Sequence, residues 1–86
     1  MRTALITGGA QGIGAAVARK FLSEGFSGVL LVDRNAEKLV AVQKQIGKGA
    51  EIHAGDLRDA GTPADAVTKA IKSFGRLDVL VNAAGN

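Results

Sequence analysis

Short apolar runs without polar alternation constrain this chain most: Ala4 to Thr7, Gly28 to Asp33 (GVLLVD) and Asp78 to Asn82 (DVLVN). A strand that shows one face to water alternates apolar and polar residues. A strand covered on both faces reads as a continuous apolar run, the pattern of a parallel sheet with helices on either side. Between the runs the period changes to that of a helix. Ile13, Val17 and Phe21 recur at helical spacing among Ala15, Ala16 and Ala18, which predicts a first helix from Ile13 to about Ser23, ended near Gly25. Asn35 is placed to cap a second helix with Glu37 in its first turn, a stripe of Leu39, Val42 and Ile46, and Gly47 and Gly49 at its end. A third helix starts with Thr62 as cap and Pro63 at its first position, carries Val67, Ala70, Ile71 and Phe74 on one face, and closes at Gly75. A further strand, Glu51 to about Gly55, lies between the second and third helices.

The order is therefore strand, helix, strand, helix, strand, helix, strand, with connections of a few residues. Short connections of this kind force parallel pairing through right-handed crossovers. The expected fold is α/β: a Rossmann-like open parallel sheet of four strands in order 3-2-1-4 with three helices, truncated after strand four. The first two helices fall on one face and the third lies alone on the other. With 86 residues the chain holds one domain, residues 1–86, with a thin core. Strand four ends in NAAGN with no helix after it, so its outer edge is expected to be open and the isolated chain prone to self-association.

Composition excludes several classes. Eleven basic against eight acidic side chains give +3, but Lys and Arg never form a block, so nucleic acid is not an expected partner. There is no cysteine, hence no disulfide and no thiolate metal site, which fits a reducing compartment, and the cytoplasm is expected. No segment nears the apolar length of a membrane span, and MRTALITGG does not read as a signal peptide. His53 has no second His and no Cys to join it at a metal, and reads as a sheet histidine. Lys20, Lys38, Lys44 and Lys69 read as solvated helix faces.

Twelve glycines are more than an average chain this long carries, and four of them stand in Thr7-Gly8-Gly9-Ala10-Gln11-Gly12-Ile13-Gly14, with Gly8, Gly12 and Gly14 giving the spacing Gly-x3-Gly-x-Gly. This stretch joins the first strand to the first helix. Glycines there allow a tight turn and let the backbone approach a pyrophosphate, whose charge is met by free N–H groups at the helix N-terminus. A Walker A loop would need Lys and Ser or Thr where the chain has Gly12-Ile13-Gly14, so nucleotide hydrolysis is disfavoured. Asp33 ends the second strand about 20 residues beyond Gly14, the interval at which a carboxylate accepts hydrogen bonds from the adenosine ribose. That favours NAD over NADP, because a 2′-phosphate would be repelled. Arg34 next to it offers a competing phosphate contact, or is simply a surface residue.

With the glycine loop and Asp33 the chain resembles the short-chain dehydrogenase/reductase family. Asp56-Leu57 is similar to the family's adenine-side Asp and its apolar neighbour, and Asn82-Ala83-Ala84-Gly85 to its Asn-Asn-Ala-Gly element. The resemblance implies an NAD(P)-binding Rossmann domain in which Gly8, Gly12, Ile13 and Gly14 shape the pyrophosphate site. Asp33 and Arg34 would face the ribose, Asp56 and Leu57 the adenine, while Asn82, Ala83, Ala84 and Gly85 would line the cofactor's strand ends. Ala83 departs from the family's second Asn. Asp56 also reads as a turn carboxylate before Asp59. The family's catalytic Ser and its Tyr with a Lys four residues on have no counterpart here, and the chain has no Tyr. The resemblance thus implies the N-terminal cofactor half of an oxidoreductase moving hydride between a nicotinamide and an alcohol or carbonyl substrate, inactive by itself. The alternative is a stand-alone, non-catalytic nucleotide-binding or interaction module.

Overall fold

The computed structural model describes residues 2–83. In chain order it contains β1 (Thr3–Thr7), α1 (Gly12–Ser23), β2 (Gly28–Asp33), α2 (Ala36–Ile46), β3 (Ala50–Ala54), α3 (Gly61–Phe74) and β4 (Val79–Asn82). The four strands form one parallel sheet in the order β3-β2-β1-β4. The fold class, strand order and helix count are those the apolar runs and short connections predict.

Every residue of β1 and β2 is buried, as continuous apolar runs in central strands require. Because side chains alternate across a sheet, the two faces draw on different residues. Ala4, Ile6, Val29 and Leu31 pack with Ala18 of α1, Leu39 of α2 and Phe26. Leu5, Leu30 and Val32 pack with Ala66 and Ala70 of α3. Full burial of each such aliphatic side chain contributes about 1.5–3 kcal/mol, which two central strands multiply. The start of α2 is capped as expected, with the Asn35 side chain accepting from the Lys38 N–H at 3.0 Å.

Four expectations need correction. β4 is half exposed rather than buried, with Leu80 at 65%. Its register sets Leu80 beside Leu5, but it pairs with β1 alone, while α3 lies over β1, β2 and β3. Thr62 does not cap α3: the helix starts at Gly61 after Ala60, whose backbone is already helical, and no side chain caps it. Successive turns from Asp56 to Thr62 lead directly into the helix, because the Asp59 N–H donates to the Asp56 carbonyl and the Thr62 N–H to the Asp59 carbonyl. The Thr62 side chain is buried instead against Gly55, where an added Cβ would lie 2.8 Å from its Cγ2. Lys69 is not a solvated helix-face residue, since its ammonium donates to the Ile52 carbonyl oxygen. β3 begins one residue earlier than expected and stops before Gly55.

Candidate functional site

The loop between β1 and α1 is folded tightly on itself. Gly8 has φ +71°, and an added Cβ on Gly14 would stand 2.2 Å from the Gly8 carbonyl oxygen. On Gly9 it would stand 2.5 Å from Leu31 Cβ. The Gly9 N–H donates to the Val32 carbonyl at 3.0 Å and the Gln11 N–H to the Gly8 carbonyl at 3.0 Å, tying the turn to β2 and to itself. Gly12, Ile13 and Gly14 form the first turn of α1, behind an extended Gln11 that makes no side-chain cap, and no acidic residue stands in that turn. The first N–H groups of a helix have no intrahelical partner and carry the positive end of its dipole. A Cβ on Gly12 would meet no protein atom within 4 Å, so packing within the chain does not demand glycine there. Ile13 is 73% exposed beside it. An uncapped, acid-free helix start with open space before it fits an anionic phosphate group.

Asp33 is buried at the end of β2, 7% exposed. Its Oδ2 accepts from the Ala10 N–H at 3.1 Å and its Oδ1 from the Asn35 N–H at 3.1 Å. The carboxylate therefore joins the glycine loop to the start of α2, a second task the sequence does not announce. Arg34 follows it, exposed.

After β3, Asp56 accepts the Arg58 N–H at 2.9 Å and its guanidinium at 2.7 Å through Nη2, with Nε at 3.1 Å from both oxygens. The turn reading of Asp56 is thus realised. The hydrogen bonds from the Arg58 side chain and backbone hold its carboxyl down at about 2. On β4, Asn82 Oδ1 accepts from the Thr7 hydroxyl at 2.8 Å, and the Ala83 N–H donates to the Thr7 carbonyl at 3.1 Å. Ala84 and Gly85 lie outside the described residues.

One cleft of about 510 Å³ brings together Gly8 and Gln11 after β1, Asp33 and Arg34 after β2, Asp56, Leu57 and Arg58 after β3, and Asn82 on β4, while Gly12, Ile13, Gly14 and Ala83 are not among its lining residues. It opens at the carboxyl ends of the strands, where the order reverses between β1 and β4, the general position of ligands in open α/β sheets. Sequence reasoning missed Thr7, Ala10, Gln11 and Arg58. Thr7, Ala10 and Gln11 stand inside the glycine stretch without a role of their own, and Arg58 is a base two residues beyond Asp56 in a turn. Among the described residues no group of three or more His, Asp or Glu side chains is placed to hold a metal, and no helix is long and apolar enough to cross a membrane.

An open parallel sheet with a glycine turn at its switch point defines the Rossmann-like α/β class. Within that class the chain belongs to the short-chain dehydrogenase family, whose profile matches residues 2–86. It is 40% identical to a D-threitol dehydrogenase of Mycolicibacterium smegmatis, over 98% of this chain and 33% of that protein. It is 41% identical to a 2,3-dihydro-2,3-dihydroxybenzoate dehydrogenase of Bacillus subtilis, with the same two shares. In solved structures it is similar to a 3-ketoacyl-(acyl-carrier-protein) reductase from Brucella melitensis complexed with NADH, with TM-score 0.85, 34% identity, and 92% of this chain against 32% of that one. A short chain dehydrogenase from Bacillus anthracis matches with TM-score 0.84 and 30% identity, covering 94% of this chain and 33% of that one. The chain thus spans about a third of the length of the relatives it matches.

Proposed function

We propose that residues 1–86 are the nicotinamide-dinucleotide-binding portion of an NAD(P)-dependent short-chain oxidoreductase, and that the complete protein transfers hydride between the nicotinamide and an alcohol or carbonyl substrate. The observation that carries this reading is the cleft itself: an uncapped helix start behind a glycine turn, with a buried carboxylate at the end of the next strand. In this reading Gly8, Gly12, Ile13 and Gly14 receive the pyrophosphate, Asp33 accepts the ribose hydroxyls, and Leu57 packs beside the adenine. The nicotinamide, when bound, would accept hydride from an alcohol or, in its reduced form, donate it to a carbonyl. The chain's residues bind and orient the dinucleotide, and with no Tyr in the sequence the chain offers no phenol to move the substrate's proton. A cytoplasmic location without membrane or nucleic-acid partners belongs to the same reading, supported by dispersed charge and the absence of cysteine.

NAD is the preferred cofactor, because the Asp33 carboxylate stands where a 2′-phosphate would sit. Calorimetric titration with each dinucleotide tests this. The expected order is NAD tighter than NADP, with Asp33→Ala narrowing the gap. Tighter NADP binding by the unaltered chain would assign the site to Arg34 instead. Nicotinamide absorbance followed with a panel of alcohols and ketones is expected to show no turnover by the 86-residue chain.

A further inference from the structure

The amide groups of the glycine loop can be accounted for one by one. The Gly9 N–H goes to the Val32 carbonyl, the Gln11 N–H to the Gly8 carbonyl and the Ala15 N–H to the Gln11 carbonyl. The Ala10 N–H goes to Asp33 Oδ2 at 3.1 Å, the one bond of this set that a side chain makes. Gly12, Ile13 and Gly14 are left at the helix start, where N–H groups have no intrahelical partner. Asp33 is 7% exposed, and its second oxygen accepts from the Asn35 N–H, so the carboxylate is fixed from both sides. Removing it frees the Ala10 amide and loosens the turn that sets Gly12, Ile13 and Gly14 in place.

Resting on the reading that the cleft receives a nicotinamide dinucleotide, we propose that Asp33 is the positioning residue of the glycine loop and holds it ready for the pyrophosphate before any ligand arrives. A carboxylate offers about four lone-pair positions, so two remain for ribose hydroxyls once Ala10 and Asn35 are served. Asparagine cannot replace it. Its one oxygen accepts from Ala10 or from Asn35, and its NH2 group then faces the other N–H, donor against donor. Charge alone points the opposite way, since deleting a carboxylate beside the loop would strengthen the binding of an anion. Loop positioning, ribose reading and bare charge therefore predict a loss, no change and a gain for a ligand that keeps the pyrophosphate but lacks the ribose hydroxyls.

The test uses the whole chain, titrated with NAD and with an NAD analogue whose adenosine ribose lacks both hydroxyls. Calorimetry gives the affinities, and amide hydrogen exchange without ligand follows Ala10. That amide is expected to exchange slowly in the unaltered chain and rapidly in Asp33→Asn and Asp33→Ala, with Leu31 still protected in both. Each variant is expected to bind the analogue about three- to tenfold more weakly, within the range for one lost hydrogen bond. Asp78→Asn, which disturbs the opposite ends of β1 and β4, is expected to leave the affinity unchanged, separating loop positioning from a general loss of stability. An analogue affinity that is unchanged or raised in the Asp33 variants would overturn the proposal and leave Asp33 a reader of the ribose alone. Weakening by Asp78→Asn to the same degree overturns it too. Fast exchange at Ala10 in the unaltered chain overturns it with no variant required, so the test survives a variant that does not fold. An unaltered chain that binds neither ligand overturns the dinucleotide reading and the positioning role with it.

Discussion

A Cβ at position 14 would overlap the Gly8 carbonyl oxygen, whereas one at position 12 would touch nothing. The two glycines of one motif therefore answer to different demands. Gly14→Ala is expected to open the loop and lower stability by about 1–3 kcal/mol, the usual cost of overpacking, and to weaken dinucleotide binding with it. Gly12→Ala is expected to leave the thermal midpoint nearly unchanged and weaken binding alone, since its methyl group would occupy only the space before the helix start. Thermal unfolding beside calorimetric titration separates the cases, and equal destabilisation by both variants would remove the distinction. Asp78 is another residue with a task hidden from sequence. Its carboxylate accepts from the Arg76 guanidinium and, at 2.9 Å, from the Thr3 N–H, joining the start of β4 to that of β1. The Arg76 hydrogen bonds, then the Thr3 N–H, hold its carboxyl below the ordinary value of 3.8. A carboxyl lowered on folding stabilises the native state above its unfolded value, and that stability is lost as pH falls through the folded value. Acid titration followed by circular dichroism is therefore expected to show stability level above about 4 and falling below it, with a weaker dependence in Asp78→Asn.

At the scale of elements, the two edges of the sheet are treated differently. The Val29 N–H donates to the Gly49 carbonyl, and the Gly55 N–H to the Asp33 carbonyl. By the alternation of a parallel ladder, Ala50 and Ile52 must then turn their backbone groups outward. Gln43 of α2 donates to the Ala50 carbonyl at 2.9 Å, and Lys69 of α3 to that of Ile52. Side chains from both faces thus close the β3 edge, one of the ways natural sheets prevent unwanted pairing. β4 ends the sheet on the other side, and its run Val79-Leu80-Val81-Asn82 contains no charge and no proline. Beside it, between α3 and Leu80, lies an apolar groove of about 260 Å³. The isolated chain is expected to self-associate at this edge. Light scattering should show Leu80→Lys reducing the association, while Gln43→Ala leaves it in place. Among the helices, α2 is capped by the Asn35 side chain but α1 is not. Asn35→Ala is expected to cost about 1 kcal/mol in chemical denaturation.

Over the whole molecule, the aliphatic core and the cleft draw on largely different residues. The core lies in β1 and β2, packed on both faces, and its aliphatic side chains stand away from the cleft except for Val32. The cleft is built from strand ends and the turns that follow them, where side chains change without disturbing the layers beneath. That division is what one fold needs to carry many chemistries. It also accords with this chain's being 40% and 41% identical to relatives named for different substrates.

The apolar runs and the helical periods between them determined the sheet order, because burial on both faces and short crossovers leave little freedom in an α/β sheet. The glycine spacing and Asp33 likewise placed the cleft, since both sit at strand ends whose position follows from that topology. Tertiary structure alone decided what contacts do. It left β4 half exposed because a strand's burial depends on neighbours the strand does not encode. It led α3 in through consecutive turns rather than a Thr62 cap, and drew Lys69 to a strand edge. It also bound Asp33 to Ala10 and Asn35, and Asp56 to Arg58. Propensity and period are properties of local sequence, whereas the partner of a carboxylate or an ammonium is fixed only when distant segments are brought within hydrogen-bond reach.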